Sequence, residues 1–375
     1  MPRVLIVHPW LPQYRTPFFG RLRQRLEDDG VELSVAVGAP PKAVEARRDG
    51  ASEDWIRRLP SREHSLFGRS LVLRRLPPLD QFDVVILEQA IGNFENYVPL
   101  LSRTKAQIAL WGHGKTYTHQ VTRTESYLKS FLTNRADWFF AYTQGGAHYV
   151  RRHGFPEQRT TIVQNAVDTQ ELQRGMASVD AACRDDLFLQ LSLNVDAQVG
   201  LFVGGLDAPK RIPFLLDAAA LVARRRPNFV LLVAGDGSQR KYIDEKLGKA
   251  WLRYVGQTRG EDLGRISTVA QAMICPGRVG LNAVDAFALS LPMVTTLWPF
   301  HAPEFEYLDN KNSIVARNDL GDFVDKVDSL FREPSLRGSL VSGCLKSASI
   351  YTLDNMVENF AVGVHLCLSR GGRDR

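Results

Sequence analysis

The chain has 375 residues, 44% of them hydrophobic and 23% charged, with a formal net charge of +6. Those proportions fit two globular domains of ordinary size and exclude a disordered or collagen-like chain. No run of 18 apolar residues is present, which excludes a membrane-spanning helix. The four cysteines (Cys183, Cys275, Cys344, Cys367) are scattered without a C-x-x-C pair, so neither a disulfide framework nor a zinc site is expected. Met1-Pro-Arg-Val-Leu-Ile-Val-His8 runs straight into a strand pattern with no signal-peptide character, which points to a cytoplasmic protein. The charge excess is local. Residues 1–170 hold 23 Lys and Arg against 17 Asp and Glu, while the remainder holds 24 of each. A basic N-terminal half suits an anionic acceptor or peripheral contact with the inner face of an anionic membrane. Nucleic acid is not expected, because the basic residues are not interleaved with aromatics in a reader motif.

In chain order, Arg3–Val7 reads as a first buried strand and Thr16–Asp29 as a helix after a proline-rich loop. Val31–Gly38 reads as the second strand, and residues 39–70, rich in Pro, Arg, Ser and Gly, as a long exposed segment. Phe82–Leu87, Ala106–Trp111 and Trp138–Tyr142 continue the series of buried strands, and Thr160–Asp168 closes a first domain. Residues 169–197 read as a polar helical connector. Short apolar runs then alternate with helical patterns at Leu201–Val203, Phe229–Ala234, Tyr254–Gly256, Ala270–Cys275 and Met293–Leu297. This is how parallel strands with crossover helices are written. Tyr351–Leu368 has helical apolar spacing at Met356, Phe360 and Val364, and Ser369–Arg375 reads as a disordered tail.

The densest motif is Cys275-Pro-Gly-Arg-Val-Gly-Leu-Asn-Ala-Val-Asp285, a strand end, a glycine loop and a short helix. Unpaired N–H groups at a helix start and the positive end of its dipole suit a phosphate. Asp285 lies about one turn further on, within reach of a ribose hydroxyl. Taken alone, such a loop is also an ordinary βα turn. Here it follows Val203-Gly-Gly-Leu-Asp-Ala-Pro-Lys-Arg211, Ala234-Gly-Asp-Gly237 and Tyr254-Val-Gly-Gln257. In the first half, Trp111-Gly-His-Gly-Lys115 puts His113 at a strand's C-terminal end, where open α/β sheets bind ligands. Tyr14 and Arg15 follow the first strand and are candidates for meeting acceptor phosphate or sugar.

The order of these blocks resembles the family-4 retaining glycosyltransferases of the GT-B fold, along essentially the whole chain and most closely over residues 160–310. The resemblance implies two Rossmann-like doubly wound domains with a cleft between them and a last helix crossing back to the first. The expected divisions are 1–168 for the acceptor, 169–348 for the nucleotide-sugar donor, and 349–368 for the crossover helix. It implies donor contacts at Gly205, Lys210, Arg211, Gly237, Val255, Gln257, Gly277, Val279, Gly280, Leu281, Asn282, Asp285 and Glu304, with His113, Lys210 and Glu304 at the chemistry. Two departures stand out. Gly205 occupies the place of the family's Arg, with Arg211 a candidate to supply that charge, and Gly277 occupies the place of the first Glu of its Glu-x7-Glu pair. A branch pairing Pro-Gly-x-Val-Gly with a later Pro-Glu is similar to this chain, which makes Glu304 the candidate donor contact.

The sequence lacks an Asp-x-Asp triplet, so the leaving diphosphate is expected to be met by Lys, Arg and backbone dipoles with no metal and no other cofactor. The implied function is transfer of a hexose-type sugar from a nucleoside diphosphate sugar, UDP slightly favoured over GDP, to a glycan or lipid-linked acceptor in polysaccharide or glycoconjugate biosynthesis. The alternatives are a catalytically silent nucleotide-sugar-binding protein and a nucleotide-sugar epimerase.

Overall fold

Most of the apolar runs become buried strands, as parallel strands between helices must be, while Tyr254–Gly256 at a sheet edge stays half-buried. The structure, a computed structural model, describes residues 1–40, 50–66, 69–117 and 120–370. The expectation for the tail beyond residue 370 falls outside them. In chain order come β1 (Arg3–His8), α1 (Thr16–Asp28), β2 (Glu32–Val37), β3 (Arg57–Arg58), β4 (Ser61–Leu66), β5 (Arg69–Arg74) and β6 (Val84–Glu88). Next are α2 (Tyr97–Leu101), β7 (Gln107–Gly112), α3 (Arg123–Asn134), β8 (Trp138–Ala141), α4 (Gln144–Arg152) and β9 (Thr160–Ile162). The second half holds α5 (Gln170–Ala177), α6 (Ala181–Gln190), β10 (Gln198–Val203), α7 (Ile212–Arg225), β11 (Phe229–Ala234), α8 (Arg240–Asp244) and β12 (Leu252–Gly256). It continues with α9 (Gly260–Ser267), β13 (Ala272–Cys275), α10 (Asn282–Ala288), β14 (Met293–Thr296), β15 (Ser313–Ala316), α11 (Leu320–Arg332) and α12 (Pro334–Ile350). The last helix is α13 (Leu353–Ser369).

The chain forms two compact units, one of Met1–Asn165 with Leu353–Arg375 and one of Ala166–Thr352. The first unit holds a seven-stranded sheet in the order β3-β2-β1-β6-β7-β8-β9. Its pairs are parallel, with Val4 opposite both Leu33 and Val84. The second holds a six-stranded parallel sheet in the order β12-β11-β10-β13-β14-β15. In both sheets the order reverses beside the first strand of the unit, the switch point where ligands bind beyond the carboxyl ends of the strands.

Residues read as one long exposed segment contain regular structure. Arg57-Arg58 adds an edge to the first sheet, and β4 and β5 pair antiparallel from Ser61 opposite Arg74. Charged residues fall on both alternating sets of that hairpin (Arg62 and Glu63, Arg69 and Arg74), so no period-two apolar signal marks it. Residues 41–49 and 67–68 of this segment lie outside the described ones.

The spacing of Met356, Phe360 and Val364 has its explanation in the first unit, where all three are fully buried. Phe360 stacks on Phe140 at 4.4 Å and meets Trp111 and Phe18 edge-on at 5.1 and 5.4 Å. A Cβ at Gly363 would lie 2.5 Å from the Phe140 ring, so glycine is what lets α13 approach β8. Arg21 and Arg25 of α1 pair with Asp354 and Glu358 along the exposed rim of this contact.

Candidate functional site

The second unit's site is built on loops at the carboxyl ends of β10, β11, β13 and β14. The glycine loop Pro276–Gly280 is fixed from both sides. On one side the Arg278 N–H donates to the Pro209 carbonyl at 2.8 Å, and the Lys210 ammonium donates to the Arg278 carbonyl at 2.7 Å. A Cβ at Gly277 would stand 2.4 Å from the Pro209 oxygen and 2.5 Å from the Lys210 carbonyl carbon. No residue with a side chain fits there unless the backbone moves. On the other side Val279 donates to His301 Nδ1 at 2.9 Å and accepts from the Ala302 N–H at 2.8 Å.

His301 is therefore a neutral brace. With Nδ1 accepting, Nε2 carries the proton and donates to the Thr296 carbonyl at 2.8 Å, while the ring stacks flat on Phe305 at 4.0 Å. Burial holds its pKa down to about 4, with nearby Lys210, Arg278 and Arg211 adding to the effect. The brace also brings Glu304 to the loop. Glu304 is 3% exposed, and its Oε2 lies 3.7 Å from where a Cβ on Gly280 would be.

Beyond the loop, Gly280 donates to Asn282 Oδ1 at 2.9 Å. The Leu281 and Asn282 N–H groups, at the start of α10, donate to no protein acceptor among the described residues. Asp285, one turn on, keeps part of its surface exposed while its carboxyl is desolvated. That pushes its pKa up to about 7 even though Lys210 pulls the other way. Lys210, Arg278, Glu304 and Asp285 thus surround one glycine loop. Arg278 was not among the residues singled out from sequence. It is half-buried, its pKa is lowered by burial, and the Glu304 carboxylate opposes that shift. Its only sequence signal is a basic residue inside a glycine loop.

The other predicted donor positions lie at neighbouring strand ends. Gly237 and Gly205 lie where the ends of β10 and β11 touch backbone to backbone; a Cβ on Gly237 would come within 2.7 Å of the Leu206 oxygen. At Gly205 the family's arginine is absent, and the Asp207 carboxylate occupies the adjacent space, 2.8 Å from a would-be Cβ. Val255 and Gln257 sit one strand further out, at the end of β12, tied to β11 by the Tyr254 hydroxyl donating to the Gly235 carbonyl at 2.8 Å. Arg211 has a structural task. It adopts a left-handed conformation (φ 57°) and directs Nη1 to Asn318 Oδ1 at 2.7 Å and the Pro276 carbonyl at 3.2 Å. Its guanidinium lies 3.9 Å from the Phe214 ring centre and 4.6 Å from that of Trp298.

In the first unit, His113 sits on a rigid loop after β7. A Cβ on Gly112 would lie 2.4 Å from that of Gln89, one on Gly114 (φ 75°) would lie 2.6 Å from the Gly146 carbonyl, and Gly114 donates to Gln89 Oε1 at 2.9 Å. Both glycines are required by close approach, and they leave the half-buried His113 ring against Tyr142, 4.4 Å between centres. Tyr14 is exposed, but Arg15 is 2% exposed and turned inward. Its guanidinium donates to Asn165 Oδ1 and lies 5.2 Å from the Trp111 ring centre, so it joins the first strand's loop to the unit's interior instead of reaching outward.

Sequence reading also missed a buried polar cluster at the ends of β5 and β6. Arg74 pairs with Glu95 and donates to Asn93 at 3.2 Å, and Asn93 donates to Glu88, whose pKa is raised by burial. Among the described residues no three His, Cys, Asp or Glu side chains are grouped to hold a metal, and no helix is long and apolar enough to cross a membrane.

Two parallel α/β units, each with its loops gathered beyond the strand ends, and a last helix returned to the first unit define the GT-B class of glycosyltransferases. A family model described as Glycosyltransferase Family 4 matches residues 18–171, and one described as Glycosyl transferases group 1 matches residues 197–333. Each of the two units thus contains all or nearly all of the stretch matched by one glycosyltransferase family model. Among solved structures it is similar in fold to a glycosyltransferase from Rickettsia africae ESF-5, with 12% identity, a TM-score of 0.70, and coverage of 97% of this chain and 98% of the other. HepE of Anabaena in complex with UDP shares 14% identity at a TM-score of 0.68, covering 97% and 100%. WaaG, a glycosyltransferase involved in lipopolysaccharide biosynthesis, shares 14% at 0.61, covering 96% and 98%. No curated protein matches the chain.

Proposed function

We propose that the chain is a retaining, metal-independent transferase that moves a hexose-type sugar from a nucleoside diphosphate sugar, UDP in first place, to a glycan or lipid-linked acceptor. The observation that carries this reading is the arrangement around the glycine loop: two cations, Lys210 and Arg278, two N–H groups without a protein acceptor, and two carboxyl groups, Asp285 and Glu304. Negative charge that develops on a leaving diphosphate is met there by Lys210, Arg278 and the Leu281 and Asn282 N–H groups. Asp285 is assigned to the ribose hydroxyls and Glu304 to the transferred sugar. The acceptor falls to the first unit, through His113 and Tyr14. As the anomeric carbon–phosphate oxygen bond breaks, the acceptor oxygen bonds to that carbon on the same face and gives its proton to the departing phosphate oxygen, so no strongly basic side chain is needed. UDP in the HepE structure supports the choice of base. A cytoplasmic enzyme working at the inner face of a membrane on polysaccharide or glycoconjugate precursors fits the reading.

The test is thermal stabilisation by UDP-, GDP-, ADP- and dTDP-sugars, with and without magnesium, followed by release of nucleoside diphosphate on addition of acceptor. A ligand at 100 times its Kd adds about 2.7 kcal/mol. Lys210→Ala is expected to weaken the binding nucleotide roughly 10- to 100-fold, the worth of a charge-assisted contact of about 1.5–3 kcal/mol. No stabilisation by any nucleotide sugar would overturn the enzyme reading. The closed backbone at Gly277 gives one reason to keep the silent binder in view, and tight binding without transfer or hydrolysis would select it.

A further inference from the structure

The second unit contains a cavity of about 350 Å³ that the proposed transfer reaction does not use. It lies between α7 and the turn that leads from α8 into β12. Trp251 stands immediately before β12, and Arg224 is in the last turn of α7. The cavity is therefore toward the amino ends of the strands, whereas the donor loops leave their carboxyl ends. Its volume is at the small end of the range for ligand sites, which suits a sugar unit and is too little for a folded partner.

The wall has two characters. Leu216, Ala220 and Ala223, at helical spacing on α7, make an apolar floor, and the half-buried Trp251 adds an aromatic surface. Arg224, Lys246 and Lys249 stand around it with Asp217, and none of these four side chains has a hydrogen-bond or ion-pair partner among the described residues. Asp217 can offset one of three positive charges, and cations gathered without partners repel one another until an anion joins them. Lys246 is half-buried, so it has given up part of its hydration with no protein acceptor in return.

The turn that carries the two lysines is already fixed. The Lys249 N–H donates to the Lys246 carbonyl at 3.2 Å, the Leu252 N–H to the Lys249 carbonyl at 3.1 Å, and the Leu231 N–H of β11 to the Trp251 carbonyl at 2.8 Å. Arg253 holds the same turn through the Ala250 carbonyl at 3.1 Å. A wall prepared in this way binds without a large ordering cost.

A pyranose ring has an apolar C–H face and an edge of hydroxyls. Trp251 and the floor of α7 match the face, the Asp217 carboxylate accepts from hydroxyls, and the three cations match a carboxylate or phosphate carried on the ring. We propose that this cavity is a second carbohydrate site, which binds an anionic sugar unit, a hexuronate or a sugar phosphate. The inference goes beyond the transfer reaction and does not depend on it, since the binding requires no nucleotide sugar.

The experiment is quenching of tryptophan fluorescence in the full chain, titrated with an oligogalacturonide, glucose 6-phosphate, maltotriose and inorganic phosphate. At least one of the two anionic sugars is expected to bind roughly tenfold or more tightly than maltotriose and than phosphate, less so as salt is raised. Binding of the oligogalacturonide alone would identify a carboxylated sugar, and of glucose 6-phosphate alone a phosphorylated one. Lys246→Ala with Lys249→Ala should weaken that binding roughly 10- to 100-fold, with an unfolding midpoint and nucleotide-sugar stabilisation that match the parent. Trp251→Phe should remove most of the quench while calorimetry still detects binding. The proposal is overturned if neither anionic sugar binds, if maltotriose or phosphate binds as tightly as they do, or if the double lysine variant binds like the parent. Anionic-sugar binding without stabilisation by any nucleotide sugar would count against the transferase reading alone.

Discussion

Replacing Asp285 by asparagine should stabilise the chain at neutral pH while it weakens the donor site, and the structure sets the size of the effect. The carboxyl ionises near pH 3.8 in an unfolded chain, and desolvation beside the glycine loop raises that to about 7 in the folded one. Between those values the native state holds a proton that the unfolded state has released. Stability therefore falls as pH rises from about 4 to about 7, and the whole cost is present above that. Roughly three pKa units correspond to about 4 kcal/mol, which the partial exposure of Asp285 trims to about 2–3 kcal/mol. An amide of the same shape carries no such cost. Urea unfolding of the parent and Asp285→Asn at pH 4 and pH 8 should give nearly equal stabilities at the lower pH. At the higher pH the variant should be about 2–3 kcal/mol the more stable, with weaker UDP-sugar binding. Parallel pH profiles for the two proteins would refute the reasoning, because they would mean that the carboxyl is as well solvated in the folded chain as in the unfolded one.

Gly277→Ala should cost about 2–4 kcal/mol in urea unfolding and depress nucleotide binding, since the new methyl can be housed only if the Pro209–Lys210 backbone moves away; an unchanged midpoint would show that the loop relaxes freely. His301→Ala should lose about 2–3 kcal/mol at pH 7 with its two hydrogen bonds. Because the buried imidazole has its pKa lowered from 6.5 to about 4, the part of the stability that His301 contributes should shrink on acidification through that interval, against the opposite trend from Asp285. The difference between parent and variant should narrow from pH 6.5 to about pH 4, since the buried His8 and Asp285 titrate alike in both, and a constant difference would show that His301 does not titrate there.

Much of the fold was legible because its signals are local. Buried parallel strands read as unbroken apolar runs, and Phe229–Ala234 or Val84–Leu87 cannot be mistaken for anything solvated. The repeat of Met356, Phe360 and Val364 likewise announced a helix with one buried face. The β4–β5 hairpin escaped notice because its charges occupy both alternating sets. The glycine loop, Lys210, Asp285 and Glu304 were recognisable as types in an order, and the fold gathers them at adjoining strand ends.

What tertiary structure alone decided is which side chains are already engaged. Arg211 and Arg15 read in sequence as free cations beside a ligand, yet one is held between Phe214 and Trp298 and the other lies beneath Tyr14 against Asn165. Arg278, not singled out from the sequence, is close enough to Glu304 for the carboxylate to act on its charge. Gly277 looked like a lost glutamate and is a point where two backbones meet. Hydrophobic period and glycine placement are properties of neighbouring residues, so the chain itself carries them. The engagement of a charge depends on residues tens to hundreds of positions away, and it exists only once the strands have been brought into register.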